Sequence, residues 1–171
     1  MHLSNDNPYY MAIDNVIYSK DGKTLFFCAL DKTSVNILDG VTTIASNAFL
    51  KCYRLNSLVI PESVTTIESG AFGEVTYSYY GITSVTYISI SYLGDGRVID
   101  DYSNKLYDVV FENPNGWTVQ TAFGGGLIIL PNGSIGNSSN VISLSSEALS
   151  NSKIAAEYLK YRYSSYTWTR S

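Results

Sequence analysis

The chain has 171 residues, 15 acidic and 11 basic side chains and one histidine, a length that suits one domain with a sizeable core of its own. A net charge of −4 without a Lys/Arg cluster argues against nucleic acid, whose affinity comes mainly from phosphate neutralisation. His2 is the lone histidine, so a Ser-His-Asp or Cys-His nucleophile system has no base, and Cys28 and Cys52 alone do not make a zinc site. Charged residues are only 15% of the chain, yet no apolar run reaches the roughly 18 residues of a spanning helix. Polarity comes instead from Ser, Thr and Asn, which fill 49 positions. No signal peptide is legible in MHLSNDNPYY, which has neither a basic start nor an apolar core.

Taken in chain order, Ile13 to Phe27 reads as a β-hairpin, two β-rich runs flanking Asp21-Gly22. It belongs to a cap over residues 9–30. The next segment repeats itself. Val41-Thr-Thr-Ile44-Ala-Ser-Asn-Ala48-Phe49 recurs 23 residues later as Val64-Thr-Thr-Ile67-Glu-Ser-Gly-Ala71-Phe72. Val35-Asn-Ile37-Leu38 precedes the first copy and Leu58-Val-Ile60-Pro61 the second at the same offset. One unit reads L-x-x-L-x-I-P-x-x-V-T-x-I-x-x-x-A-F-x-x-C, with Cys52 in the last slot as a small buried hydrophobe. Two cysteines leave open whether they pair. A third strand is read at Ile82–Tyr87 and a fourth at Leu106–Phe111. An insertion at 76–81 and a degraded copy at 88–105 interrupt the series, which spans 33–112.

A period of 20–29 with L-x-x-L-x-I spacing is the leucine-rich-repeat signature. One unit cannot bury its own apolar edge, so neighbours stack and share a core. The expected fold is therefore mainly β with short helices, an α/β solenoid in right-handed coils, as one domain over 1–171. Ile37, Val41, Ile44, Phe49, Leu55, Leu58, Ile60, Val64, Ile67, Phe72, Val85, Val109, Phe111 and Trp117 are its expected core. Pro61 suits a strand end. Ser46 and Ser69 are read as caps of short helical turns that bring Ala and Phe inward.

Residues 113–171 read as a β-plus-helix cap. Strands are expected at Trp117–Val119 and Leu127–Leu130, around the glycine loop 124–126. Ser150 to Tyr161 reads as one helix, with Ile154, Tyr158 and Tyr161 at i, i+4 and i+7 and Ser150 or Ser152 as N-cap. Alternation in Tyr166-Thr-Trp168-Thr-Arg170 marks a final edge strand.

The units V-T-T-I-A-S-N-A-F-L-K-C-Y-R-L and L-V-I-P-E-S-V-T-T-I-E-S-G-A-F resemble the BspA-type leucine-rich repeats of bacterial surface proteins. The stretch V-I-Y-S-K-D-G-K-T-L resembles a hairpin insert of that family, with Cys28-Ala29-Leu30 replacing its usual tyrosine–proline end. F-E-N-P-N-G-W-T-V, A-A-E-Y-L-K and Y-T-W-T-R resemble a terminal segment. The resemblance implies an exported or cell-surface, adhesin-like module without catalytic residues or cofactors. Its partner would be a protein or glycan, including host-derived ones, met on the strand face.

On that face the residues between the inward ones are Asn36, Asn56, Ser57, Val59, Ser84, Thr86, Asp108 and Val110. Their columns stand about 4.8 Å apart. Tyr77, Tyr79 and Tyr80 form a second candidate contact in the insertion, since tyrosine gives rigid contact area at low entropy cost. The alternative without a ligand is a solvated face in a structural spacer or capping segment of a larger surface protein. A carboxylate-dependent hydrolase would need two acids about 5–10 Å apart in a cleft. Asp100 and Asp101 make a poor pair for it, because neighbours on a strand point to opposite faces. Gly94-Asp95-Gly96 lacks the spacing and closing Glu of a calcium loop, and Gly124–Gly126 lacks the lysine of a phosphate loop, so no metal or cofactor is expected.

Overall fold

A computed structural model describes residues 7–72, 106–121, 127–129, 135–137, 141–163 and 166–171. They form a mainly β structure with few short helices.

The chain opens as a three-stranded meander, β1 (Tyr10–Ile13), β2 (Val16–Ser19) and β3 (Thr24–Cys28), paired antiparallel in that order. The hairpin expected around Asp21-Gly22 is present. Ser19 Oγ donates to Asp21 Oδ1 at 2.6 Å and accepts the amides of Lys23 and Thr24, while Gly22 takes the positive φ of +72°. A second turn precedes it. Asp14 and Asn15 both have positive φ, 49° and 62°, the backbone of a two-residue type I′ connection. The single hairpin read from the sequence is thus corrected to three strands.

Two parallel ladders carry the repeat. In the first, β4 (Ser34–Asn36), β6 (Ser57–Ile60) and β8 (Asp108–Phe111) lie in that order. In the second, β5 (Thr43–Ile44) and β7 (Thr66–Ile67) pair with a 23-residue offset, Thr43↔Thr66 and Ile44↔Ile67. A third line of backbone bonds joins the units along their turns, from Asn47 N to Gly70 O and from Phe49 N to Ala71 O. Each unit therefore meets its neighbour on three sides. Residues 46–51 form successive turns rather than the helical turn expected after Ser46, with Asn47 and Lys51 both at φ +60°.

Between these ladders lies the core. Val35, Leu58 and Val109 stand in register in the first sheet, and Ile44 and Ile67 in the second, all at most 3% exposed. Phe49 and Phe72, equivalent by the repeat, stack with ring centroids 4.9 Å apart and planes 4° from parallel. Every expected core residue is buried apart from Val85, which lies outside the described residues.

The β6–β8 pairing corrects the expected order of strands. Ser57 pairs directly with Asp108 and Leu58 with Val109, so the strand read at 82–87 does not stand between them. A 23-residue period cannot foresee this skip, because it counts residues and not the chain that loops out.

The C-terminal segment closes the second sheet. β9 (Trp117–Thr121), β12 (Ile142–Ser143) and β13 (Tyr166–Arg170) extend it to eight strands in the order β1-β2-β3-β5-β7-β13-β9-β12. Strand β13 is central in that order, with β7 on one side and β9 on the other, and is not the edge strand expected. Its alternation reports one buried face, with Trp168 1% exposed, and says nothing about its two edges. β10 (Leu127–Ile129) pairs with β11 (Ile135–Asn137), not with β9 across the glycine loop as expected.

The expected single helix is two short ones, α1 (Ser146–Ser150) and α2 (Ser152–Glu157), followed by a π-helical turn over Tyr158–Arg162. Asn151 caps α2, its side chain accepting from the amides of Lys153 and Ile154, and Ser145 caps α1. Neither Ser150 nor Ser152 holds the role expected of it. Helix α2 buries Ala155 and Ala156 and packs against β8. Beneath it Phe111, Trp117, Tyr163 and Trp168 meet ring to ring, with centroids 5.3–6.2 Å apart.

Candidate functional site

Alternation in a strand sends successive side chains to opposite faces. In β4, β6 and β8 the inward set is apolar, which leaves two outward rows. One is Ser34, Ser57 and Asp108, and the other Asn36, Val59 and Val110. The ladder registers align each row strand to strand. Ser34, Asn36 and Val110 are exposed, whereas Ser57, Val59 and Asp108 are half-buried. Tyr107, 57% exposed, stands at the start of β8 beside these rows.

The structure thus brings Asn36, Ser57, Val59, Asp108 and Val110 onto one face. Asn56 differs from them. Its side-chain amide, oriented with the nitrogen toward the backbone, donates to Thr33 O at 2.6 Å and Arg54 O at 3.0 Å. Its own carbonyl accepts the amides of Tyr107 and Asp108. Asn56 therefore fastens the turn into β6 to its neighbours. Ser84 and Thr86 of the strand list, and Tyr77, Tyr79 and Tyr80 of the loop list, lie outside the described residues, as do Gly94–Asp101 and Gly124–Gly126. Sequence reasoning passed over Ser34, although it stands 23 residues before Ser57, the same signal that placed Asn36 opposite Val59.

Chemically the face offers hydroxyls, one amide, one carboxylate and two valines. Asp108 is its single charge. Among the described residues no three His, Cys, Asp or Glu side chains gather as a metal site, and no helix is long and apolar enough to cross a membrane. Acids on the described surface are tied into the frame. Glu68 Oε2 accepts Ser46 N at 2.8 Å, joining two units, and Glu112 Oε2 accepts Glu62 N at 3.2 Å. In the β2–β3 turn, bonds from Ser19 Oγ and Lys23 N hold the Asp21 carboxyl below its ordinary pKa.

Strands that return after 23 residues to pair in parallel, with a buried row of Val, Leu and Ile, define a leucine-rich-repeat protein. Residues 20–95 match the model of the BspA type leucine rich repeat region, in six copies, and the chain carries a repeat region of that family. No curated protein and no solved structure matches the chain.

Proposed function

We propose that this chain is a non-enzymatic, surface-displayed repeat module that docks a protein or glycan on the outward face of β4, β6 and β8. The observation that carries this reading is the register of the two rows, Ser34–Ser57–Asp108 and Asn36–Val59–Val110. Short hydroxyl, amide and methyl groups on a stiff sheet desolvate cheaply and lose little side-chain entropy on contact. A stacked repeat also holds such groups on a rigid scaffold, so little reorganisation accompanies binding. The family match supports a surface setting and a binding role rather than chemistry.

The test is a glycan array and a cell-surface protein array probed with the wild-type chain and with Ser57→Arg/Val59→Arg. A tenfold or larger loss of signal, with unchanged circular dichroism and melting temperature, supports the site. Binding that persists in this variant and is lost in Tyr79→Ala/Tyr80→Ala moves the site to the loop at 77–80. Binding that survives both variants removes the assignment.

A second reading is a spacer or capping segment of a larger surface protein. One observation favours it. Tyr9, Tyr10, Ile13 and Phe26 are at least 40% exposed around the edge strand β1, where a further unit of a longer array would find an apolar contact.

A further inference from the structure

Cys28 ends β3 and Cys52 closes the run of turns after Phe49, and the two segments are fastened together. Cys28 N donates to Ala48 O at 2.8 Å. Cys52 Sγ donates to the carbonyl of Cys28 at 3.5 Å, so one sulfur lies against the backbone of the other cysteine. Both residues carry free thiols, with Cys28 0% and Cys52 1% exposed. The pair sits where the N-terminal meander meets the first repeat unit, since β3 is also the strand that pairs with β5.

The thiols hydrogen-bond to each other. That bond, with burial, pushes the Cys28 thiol up, and the same bond pulls the Cys52 thiol down against burial. Cys52 is thereby the better nucleophile and Cys28 the proton donor beside it.

We propose that Cys28 and Cys52 are a redox pair, which a small-molecule disulfide oxidant closes into an intramolecular bond tying the N-terminal meander to the first repeat unit. Local opening of the meander admits the oxidant R–S–S–R. Cys52, as thiolate, attacks one oxidant sulfur, forms Cys52–S–S–R and expels one thiolate, R–S⁻. Cys28 gives its proton to that leaving thiolate and attacks Cys52 Sγ. The second R–S⁻ leaves and takes the proton that Cys52 had released. Two protein thiols are oxidised and one oxidant disulfide is reduced to two thiols. The bond encloses a loop spanning 24 positions, long enough to cost the unfolded chain appreciable entropy.

The experiment equilibrates the folded chain in glutathione buffers of increasing oxidised-to-reduced ratio, then traps free thiols with acid and iodoacetamide. The expected product is monomeric and lighter by about 2 Da, with a proteolytic peptide pair joined through Cys28 and Cys52. Its melting temperature should rise by roughly 5–10 °C and return on reduction with dithiothreitol. Cys28→Ala and Cys52→Ala should each abolish the mass loss. A chain that stays doubly alkylated under excess oxidised glutathione overturns the proposal. So does a bond that forms only in denaturant, a stable glutathione adduct or a cross-linked dimer. A disulfide that leaves the melting temperature unchanged overturns the tying role. These readouts use the wild-type chain, so a poorly folding variant does not blur them.

Discussion

Phe72 stacks face to face on Phe49 and is 4% exposed, so truncating it opens a cavity that the rigid units on either side cannot close. Phe72→Ala should cost roughly 3–5 kcal/mol, read as a shift in the denaturant midpoint at constant slope. Asn47 and Gly70 occupy one slot of the repeat, and both take a left-handed backbone, φ 60° and 75°. Gly70→Ala should therefore destabilise by about 1–2 kcal/mol, whereas Asn47→Gly should be neutral or mildly stabilising in the same melts. Tyr18, 1% exposed, has its phenol pushed up from 10 to about 12 by burial, which a hydrogen bond from the Leu38 backbone only partly offsets. Its folded pKa lies above its unfolded one. The neutral phenol therefore contributes fully below pH 10, and its contribution is lost as pH rises through 12. Between those values the chain should lose roughly 2–3 kcal/mol that Tyr18→Phe does not lose, measured by chemical denaturation at each pH. At this scale the sequence was a good guide. Apolar residues at fixed offsets are buried because each unit presents the same edge to its neighbour. The left-handed slot was visible only as an Asn/Gly alternation, which spacing alone does not interpret.

Short elements depend on local hydrogen bonds as much as on packing. Helix α2 has six residues and starts on Asn151, whose side chain accepts two orphan amides. Asn151→Ala should cost about 1 kcal/mol, and Ser152→Ala a few tenths at most. A reversal of that order in thermal melts would return the cap to serine. The Ser-Asn-Ser run at 150–152 offers three capping residues in a row, and side-chain preference cannot rank them without the φ and ψ that the preceding helix imposes. The two elements misread as one helix share this cause: the apolar period crosses Asn151, but the backbone leaves the helical region there, at ψ 108°. The β1–β2 connection was legible in principle, since Asp14-Asn15 is a pair that tolerates positive φ. The stronger Asp-Gly signal seven residues on drew the hairpin away from it. In the candidate site, the alternation of β6 and β8 was readable from Leu58, Ile60, Val109 and Phe111. Their direct adjacency was not, because no local rule measures how much chain a repeat array will loop out.

The whole molecule is held at its closing end by one strand. β13 bonds to β7 through Trp168↔Ile67 and Thr169↔Thr66, and to β9 along five residue pairs. Arg170 N adds a bond to Thr65 O at 2.8 Å, and the Arg170 side chain donates to the Glu62 carbonyl. Removing residues 166–171 should abolish the cooperative melt and the near-ultraviolet signal of Trp117 and Trp168, since it leaves β7 and β9 without their common partner. A truncated chain that still melts sharply would mean that the repeat units stand alone. The topology also imposes an order in time. Strands β1 to β5 pair with segments a few dozen residues away at most, whereas β7 waits for a partner about a hundred residues downstream. On a ribosome or behind a translocation channel, the first units would have to persist with β7 unpaired until residues 166–170 emerge. The maturation of this protein is therefore set by when its last strand arrives, and its half-made form presents an open β edge to every neighbouring chain.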